Sequence, residues 1–366
     1  MTTQRELSDA ERVDWVRLSR TPNVGPVTFA QLLKRYQTPA NAIEHLPELT
    51  RKKPLLPPSK TQVEDEISAT IAYGAKIIAS CEPTYPTLLR AVDPPPPSLS
   101  ILGKTDLLKG DAVAMVGARN ASAAGRKIAR DMAETLGNAG YVIVSGMARG
   151  IDGEAPAASL ETGTIAVLGG GVDHIYPPQH DRLYAALASD GLIVSESPFG
   201  HRATAKDFPR RNRLITGLAL GTVVVEAAER SGSLISARTA LEQNREVMAV
   251  PGSPLDPRAS GTNSLIQQGA ALVRSGDDVL NVLNSLGKLH LQMPHSASYE
   301  GQPETDTPPT YQVEAVLEAL SYTPIQLDEV ARAAGIGPAR CAAILMELEL
   351  QGQATTLPGG LAILPP

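Results

Sequence analysis

The stretch FPRRNRLITG, from Phe208 to Gly217, sets Arg210, Arg211, Asn212 and Arg213 directly behind one of the chain's three phenylalanines. Between His201 and Ile215 stand Arg202, Lys206, Arg210, Arg211 and Arg213 against Asp207, a local balance of +4 in a chain of net charge -6. Guanidinium groups at this density meet phosphate or carboxylate, and an aromatic ring among them offers a base a stacking surface. Two blander readings stand beside this one. The arginines form a solvated face paired with Asp207 and nearby glutamates, or Phe208 is a core residue.

A second set of candidates follows apolar, β-branched runs: GARN (117–120), SGMARG (145–150), LGGG (168–171), SESPFG (195–200), EAAERSGS (226–233) and VPGS (250–253). Glycine in such turns lets main chain approach a phosphate and turns N–H groups towards it. Gly117, Arg119, Arg149, Gly170, Ser231, Gly232 and Ser233 thereby become candidate contacts for an anionic ligand, with Arg230 among them. A tight strand-to-helix turn explains any one glycine alone, but not six such turns carrying three arginines. Ser231 and Ser233 read as a phosphate clamp at a helix start, because no G-x-S-x-G elbow surrounds them.

Several enzyme classes lose support here. No G-x-x-x-x-G-K-[ST] loop occurs, and no G-x-G-x-x-G follows the first central strand. His174 and His180 in DHIYPPQH lack a metal-ligand companion and read as surface polar residues. Cys81 and Cys341 form no C-x-x-C pair, which predicts a reducing, cytoplasmic setting without zinc or disulfides. No cofactor is expected. The N-terminal residues are too charged for a signal peptide, and no apolar run approaches the ~20 residues a bilayer span requires.

The elements that must hold these residues are legible between Asp111 and Gly287. DAVAMVGAR, YVIVSG, TIAVLGGG, LIVSES, TVVVEA, EVMAVPG and ALVRSG alternate with amphipathic segments, the pattern of a parallel sheet with crossover helices. The fold class is α/β, a Rossmann-like open sheet. One helix is read in detail: Ser122 caps it, Ile128, Met132 and Leu136 share a face, and Gly140 follows its end. Around this core the sequence predicts a helical, helix-hairpin-helix (SAM-like) domain over 1–80, the Rossmann-like domain over 81–287, a flexible tether over 288–310 and a winged helix over 311–366. The segment 83–104 is expected to lie extended against the core. The first 60 residues carry ten Lys and Arg against six acids, and residues 311–366 carry two against six. An acidic winged helix is a poor duplex binder, so that module is expected to serve proteins or pack on its own chain.

The order VGARN, SGMARGID, GTIAVLGGGVDHIYP, FPRRNRLITGLA, VVVEAAERSGSLISARTALEQNREVMAVPG and GTNSLIQQGA resembles the DNA-processing protein A family from about Ala112 to Ala270. The resemblance implies a protein that is not an enzyme: it binds single-stranded DNA in natural transformation, protects it, and loads a RecA-type recombinase while acting as a homodimer through the Rossmann-like domain. It carries the family's phosphate loop onto Gly117, Ala118 and Arg119, with alanine replacing the hydroxyl residue, and the basic-aromatic segment onto Lys206, Phe208, Arg211, Asn212 and Arg213. Pro156 stands where the family has a histidine. The alternative is a LOG-type nucleotide phosphoribohydrolase, which shares the architecture but needs a PGG-x-GT loop that VPGSPLD and LGGGVD do not continue.

Overall fold

The computed structural model describes residues 4–49, 55–292, 309–350, 353–357 and 361–364. Its helices are α1 (Asp9–Ser19), α2 (Pro26–Tyr36), α3 (Pro39–His45), α4 (Lys60–Ala72), α5 (Thr87–Arg90), α6 (Ala123–Asn138), α7 (Ile151–Ala158), α8 (Asp181–Asp190), α9 (Asp207–Gly217), α10 (Gly232–Glu242), α11 (Ser260–Gln267), α12 (Gly276–Gln292), α13 (Thr310–Ala319), α14 (Leu327–Ala333) and α15 (Pro338–Leu350). Nine strands form the main sheet: β1 (Lys76–Ala79), β2 (Ser98–Gly103), β3 (Ala112–Val116), β4 (Val142–Ser145), β5 (Thr164–Leu168), β6 (Leu192–Ser195), β7 (Gly221–Val224), β8 (Glu246–Ala249) and β9 (Ala271–Leu272). Their order is β1-β2-β6-β5-β4-β3-β7-β8-β9.

The seven parallel strands are the seven apolar runs read in the sequence, and both faces of the sheet are covered. Along β3, Ala112, Ala114 and Val116 pack with Leu214 and Ile215 of α9 and Ala237 of α10. Val113 and Met115 point the other way, onto Met132 and Leu136 of α6 and Val279 of α12. This alternation, with both faces apolar, is why the runs look continuous rather than two-periodic. α6 begins as expected, the Ser122 hydroxyl accepting from Gly125 N, and the chain leaves it at Gly140 with φ +91°.

The chain builds β3 to β6 outwards in one direction, then returns through α9 to place β7 on the other side of β3. A crevice therefore opens at the carboxyl ends of β3 and β7, where the topology reverses. FPRRNR is the start of the returning helix, which places the basic segment beside that crevice.

The domain edges differ from those expected. β1 pairs antiparallel with β2, and β2 with β6, so the sheet starts at Lys76 and not at Cys81. The proline-punctuated 83–97 segment hid this, because it is an excursion between two paired strands rather than an entry into the sheet. α12 runs to Gln292, since the LHLQ residues continue its helix into the segment expected to be tether; the rest of that tether, 293–308, lies outside the described residues. The chain divides into two compact units, Met1–Gln292 and Met293–Pro366. In the second, α13 to α15 pack with a small sheet of β10 (Ile325–Gln326), β12 (Leu361–Ile363) and β11 (Thr355–Leu357), a winged helix; the turn at Gly359 and Gly360 lies outside the described residues.

A buried ion pair fastens the helical domain to the sheet. Arg12 of α1 donates to both oxygens of Glu82, at 2.5 and 2.9 Å, and to Ile77 O at 2.9 Å. Glu82 also accepts from Ala79 N at 2.7 Å and Leu7 N at 3.3 Å. Burial pushes the Glu82 carboxyl up, but Arg12 and these N–H groups outweigh it and hold the group below the usual range. Its stabilising contribution is therefore complete above the ordinary glutamate value of about 4.3 and is lost as pH falls through the lower folded value. We expect Glu82→Gln to lower stability at neutral pH by roughly 3 kcal/mol and to flatten the acid limb of a thermal-unfolding profile. An unchanged acid limb would remove this pair as the fastening.

Candidate nucleic-acid interface

The crevice is an open groove of ≈ 850 Å³. Its walls come from three turns: Gly117, Ala118, Arg119 and Asn120 after β3, Arg230 to Ser233 after β7, and Phe208, Pro209 and Asn212 at the start of α9. Phe208 is half-buried and belongs to none of the apolar cores. Its ring lies 5.2 Å from that of Tyr176, with the Arg119 guanidinium 5.2 Å from the centroid. Tyr176 is 41% exposed. Two adjoining aromatic faces beside an exposed guanidinium form a platform of the kind that can stack bases and meet a phosphate.

Arg211 has a different place from the one the sequence suggested. It is 6% exposed, and its Nη1 donates to Gly146 O and Val167 O at 2.6 Å each. Buried Asp152 lies nearby and accepts from Gly117 N at 3.2 Å. Burial presses both groups towards neutrality, the Arg211 guanidinium down and the Asp152 carboxyl up, and each charge opposes that for the other. Arg211 Nε has no hydrogen-bond partner among the described residues. Arg211 thus lies beneath the platform, 6.0 Å from the Phe208 centroid, and ties the start of α9 to the ends of β4 and β5, beside Asp152, which holds the turn after β3. The expected exposed phosphate contact gives way to this internal role.

Arg213 is likewise engaged, donating to both carboxylate oxygens of Glu196 at 2.5 and 2.6 Å, and Arg210 approaches the same group at 3.5 Å while its side chain stays 59% exposed. The main-chain oxygen of Glu196 accepts from Arg20 of the helical domain at 2.9 Å, and Arg20 also pairs with Glu66 at 3.0 Å. Arg20, Glu196 and Arg210 line a cleft of ≈ 610 Å³ between the hairpin at Asn23–Gly25 and the sheet, and both of these arginines are matched by carboxylates. The local count of +4 began at His201 and so left out Glu196.

Arg119, Arg149, Lys206 and Arg230 have no carboxylate within ion-pair distance among the described residues. Lys206 is exposed immediately before α9, and Arg149 stands on the far side of Arg119 from the platform. The glycines divide in the same way. A Cβ at Gly117 would meet Ile151 at 2.6 Å, and one at Gly170 would meet His201 O at 2.8 Å, so both are required by packing of the protein on itself. Gly232 has nothing within 4 Å of such a position and leaves the start of α10 open to a ligand. There the Ser231 hydroxyl accepts from Ser233 N and lies 2.7 Å from the Ser233 hydroxyl. The other helix start at the crevice is closed: Glu226 accepts from Ser122 N at 2.9 Å and Ser122 Oγ at 2.6 Å. That carboxylate occupies the position where a dinucleotide fold seats its pyrophosphate.

Sequence reasoning passed over Tyr176, Glu196 and Glu226. The low aromatic content that singled out Phe208 applied equally to Tyr176, beside the Pro177–Pro178 pair, but the flanking histidines drew the reading instead. Pro156 is buried inside α7 and does not line the groove, so its departure from the family pattern leaves the platform unaltered.

Comparison with known proteins agrees with this architecture. Residues 76–284 match the family described as DNA recombination-mediator protein A, residues 9–69 match the DprA-like N-terminal HHH domain, and residues 300–360 match the DprA winged helix domain. The Escherichia coli protein Smf is 40% identical over 75% of this chain and 74% of its own length, and the Bacillus subtilis DNA processing protein DprA 39% over 69% and 83%. The X-ray structure of DprA from Streptococcus pneumoniae superposes with a TM-score of 0.64 at 32% identity, covering 76% of this chain and 98% of that one. A Helicobacter pylori DprA structure, described as giving insight into a single-stranded DNA binding mode, superposes with a TM-score of 0.53 at 28% identity over 58% of this chain and 96% of that one. With its helical, sheet and winged-helix modules all matched in order, the chain belongs to the DNA recombination-mediator protein A family.

Proposed function

We propose that this chain binds single-stranded DNA in the groove at the β3–β7 crevice, without catalysing a reaction on it, and that it acts as a recombination mediator which protects incoming strands and passes them to a RecA-type recombinase. The carrying observation is the Phe208–Tyr176 platform in one groove with Arg119 and Arg230, two exposed cations with no carboxylate at ion-pair distance among the described residues. Stacked bases give affinity without sequence preference, and the neighbouring cations meet the backbone. A duplex hides its base faces, so the platform favours single strands. Asp152, which lines the groove, and Glu226, just past the end of β7, are both engaged with the protein, which supports a binding role over hydrolysis. Homodimerisation through the sheet domain and residence in the cytoplasm belong to the same reading.

Titration of the full chain with single- and double-stranded DNA of equal length tests it. If about four phosphates are met, log affinity for single strands should fall with log salt at a slope of roughly -3. Equal affinity for duplex, or release of free base from nucleoside monophosphates, would overturn the reading.

Three substitutions separate the roles at the groove. Arg119→Ala should weaken binding to all sequences alike and make the slope shallower by about 0.7. Phe208→Ala should cost roughly 1 to 3 kcal/mol of affinity with the slope unchanged. Arg211→Ala should instead cost roughly 3 kcal/mol of folding stability, because it leaves Asp152 as an uncompensated buried charge. Thermal unfolding measured beside binding distinguishes them. A stable Arg211→Ala protein with a shallower slope would return that arginine to the strand.

A chain ending at Gln292 retains the whole first compact unit. We expect it to keep most of the single-strand affinity, since the winged helix is acidic; loss by orders of magnitude in a folded truncated protein would place a main contact in the second unit.

A further inference from the structure

Arg119 stands on a ridge between two hollows. One is the groove. The other, of ≈ 750 Å³, lies towards α6 and α7, with Arg126, Arg149, Gln179 and His180 in its wall, and the two share Arg119 and Asn120. The ridge is firmly built. Gly150 adopts φ +76°, a Cβ there would lie 2.1 Å from Ala118 O, and Ile151 N donates to that same oxygen at 3.3 Å. The turns after β3 and β4 are thereby held against each other.

Three guanidinium groups converge on this hollow, all exposed and none with a carboxylate partner among the described residues. The acid in its wall, Glu154, is taken by Arg130 of α6 at 2.7 Å. His180 Nδ1 donates to Met147 O at 3.0 Å, which fixes the ring against Gly153 in the same wall. In a chain of net charge -6, most arginines near acids are paired, yet these three like charges face one concavity and repel each other unless an anion lies between them. The shared Arg119 connects that anion to whatever occupies the groove.

We propose that a single strand lying on the Phe208–Tyr176 platform continues over the Arg119 ridge and seats a further backbone phosphate between Arg126 and Arg149. The binding site then has two lobes, one that stacks bases and one that holds backbone alone. This inference rests on the single-strand reading above. It adds Arg126, on the first turn of α6, to the contacts, and gives Arg149 a place separate from the platform.

Oligothymidylates of about 4 to about 16 nucleotides, titrated into the full chain by fluorescence anisotropy, test it. Wild type and the Arg126→Ala/Arg149→Ala protein should bind the shortest oligomer alike. On the longest, the double variant should be weaker by about tenfold, with a salt slope shallower by about 0.7 to 1.4. Arg126→Glu serves as a second variant, expected to show the same length dependence more strongly, with thermal unfolding unchanged because the side chain is exposed. An identical loss at every length, or no loss at any, would overturn the two-lobed site while leaving the platform standing. Failure of wild type to bind even the longest oligomer would instead remove the single-strand reading itself.

Discussion

A guanidinium buried under the carboxyl end of the sheet holds the turns that make the groove. Arg211 reaches from α9 to the main-chain oxygens of Gly146 and Val167, and Asp152 beside it receives the N–H of Gly117. One side chain and its neighbouring carboxylate thus bring together the turns after β3 and β4, the end of β5 and the helix that crosses back over the sheet. A charge without good partners is costly in such a place, whereas one that meets carbonyls and an opposite charge resists displacement. The position of Phe208 follows, because its ring sits on the first turn of the same helix, over the Arg211 guanidinium.

The arginines divide into three groups by their surroundings. Arg211 builds the floor. Arg210, Arg213 and Arg20 gather around Glu196, where they join the helical domain to the sheet. Arg119, Arg126, Arg149 and Arg230 have no carboxylate partner among the described residues and lie exposed around the crevice and the adjoining hollow. Charge that is matched inside the protein contributes to its shape, and charge left unmatched is available to attract a polyanion. The same residue type therefore serves structure and junction and, on the proposed reading, recognition within one small region.

Much of this was legible in one dimension. Seven strands declared themselves because strands buried on both faces are apolar throughout, and α6 because its cap, its period and its terminal glycine agree. β1 and β2 did not, since KIIA is short and SLSILG follows a run of prolines that reads as irregular chain. At the site, FPRRNR drew attention to the start of α9, because charge and aromaticity are compositional signals, and Phe208, Pro209, Arg211 and Asn212 of it line the groove. Which arginine faces solvent was not readable, since that depends on where α9 lies over β5 and on Glu196, distant partners with no local signature. Gly170 shows the same limit: its neighbour is the carbonyl of His201, and no pattern within LGGG announces a packing requirement.

Glu226 closes one helix start at the crevice while Gly232 leaves the other open, and this asymmetry bears on the competition the protein faces. At the start of α6 a free dinucleotide finds no ready seat for its pyrophosphate, because Glu226 already takes the Ser122 N–H and hydroxyl. A polymer is treated differently. On the proposed reading its successive phosphates and bases would engage several modest contacts at once, each raising the local concentration of the next. Discrimination then comes from chain length rather than from any single chemical group. A strand bound in the proposed way would also detach in increments, one contact at a time.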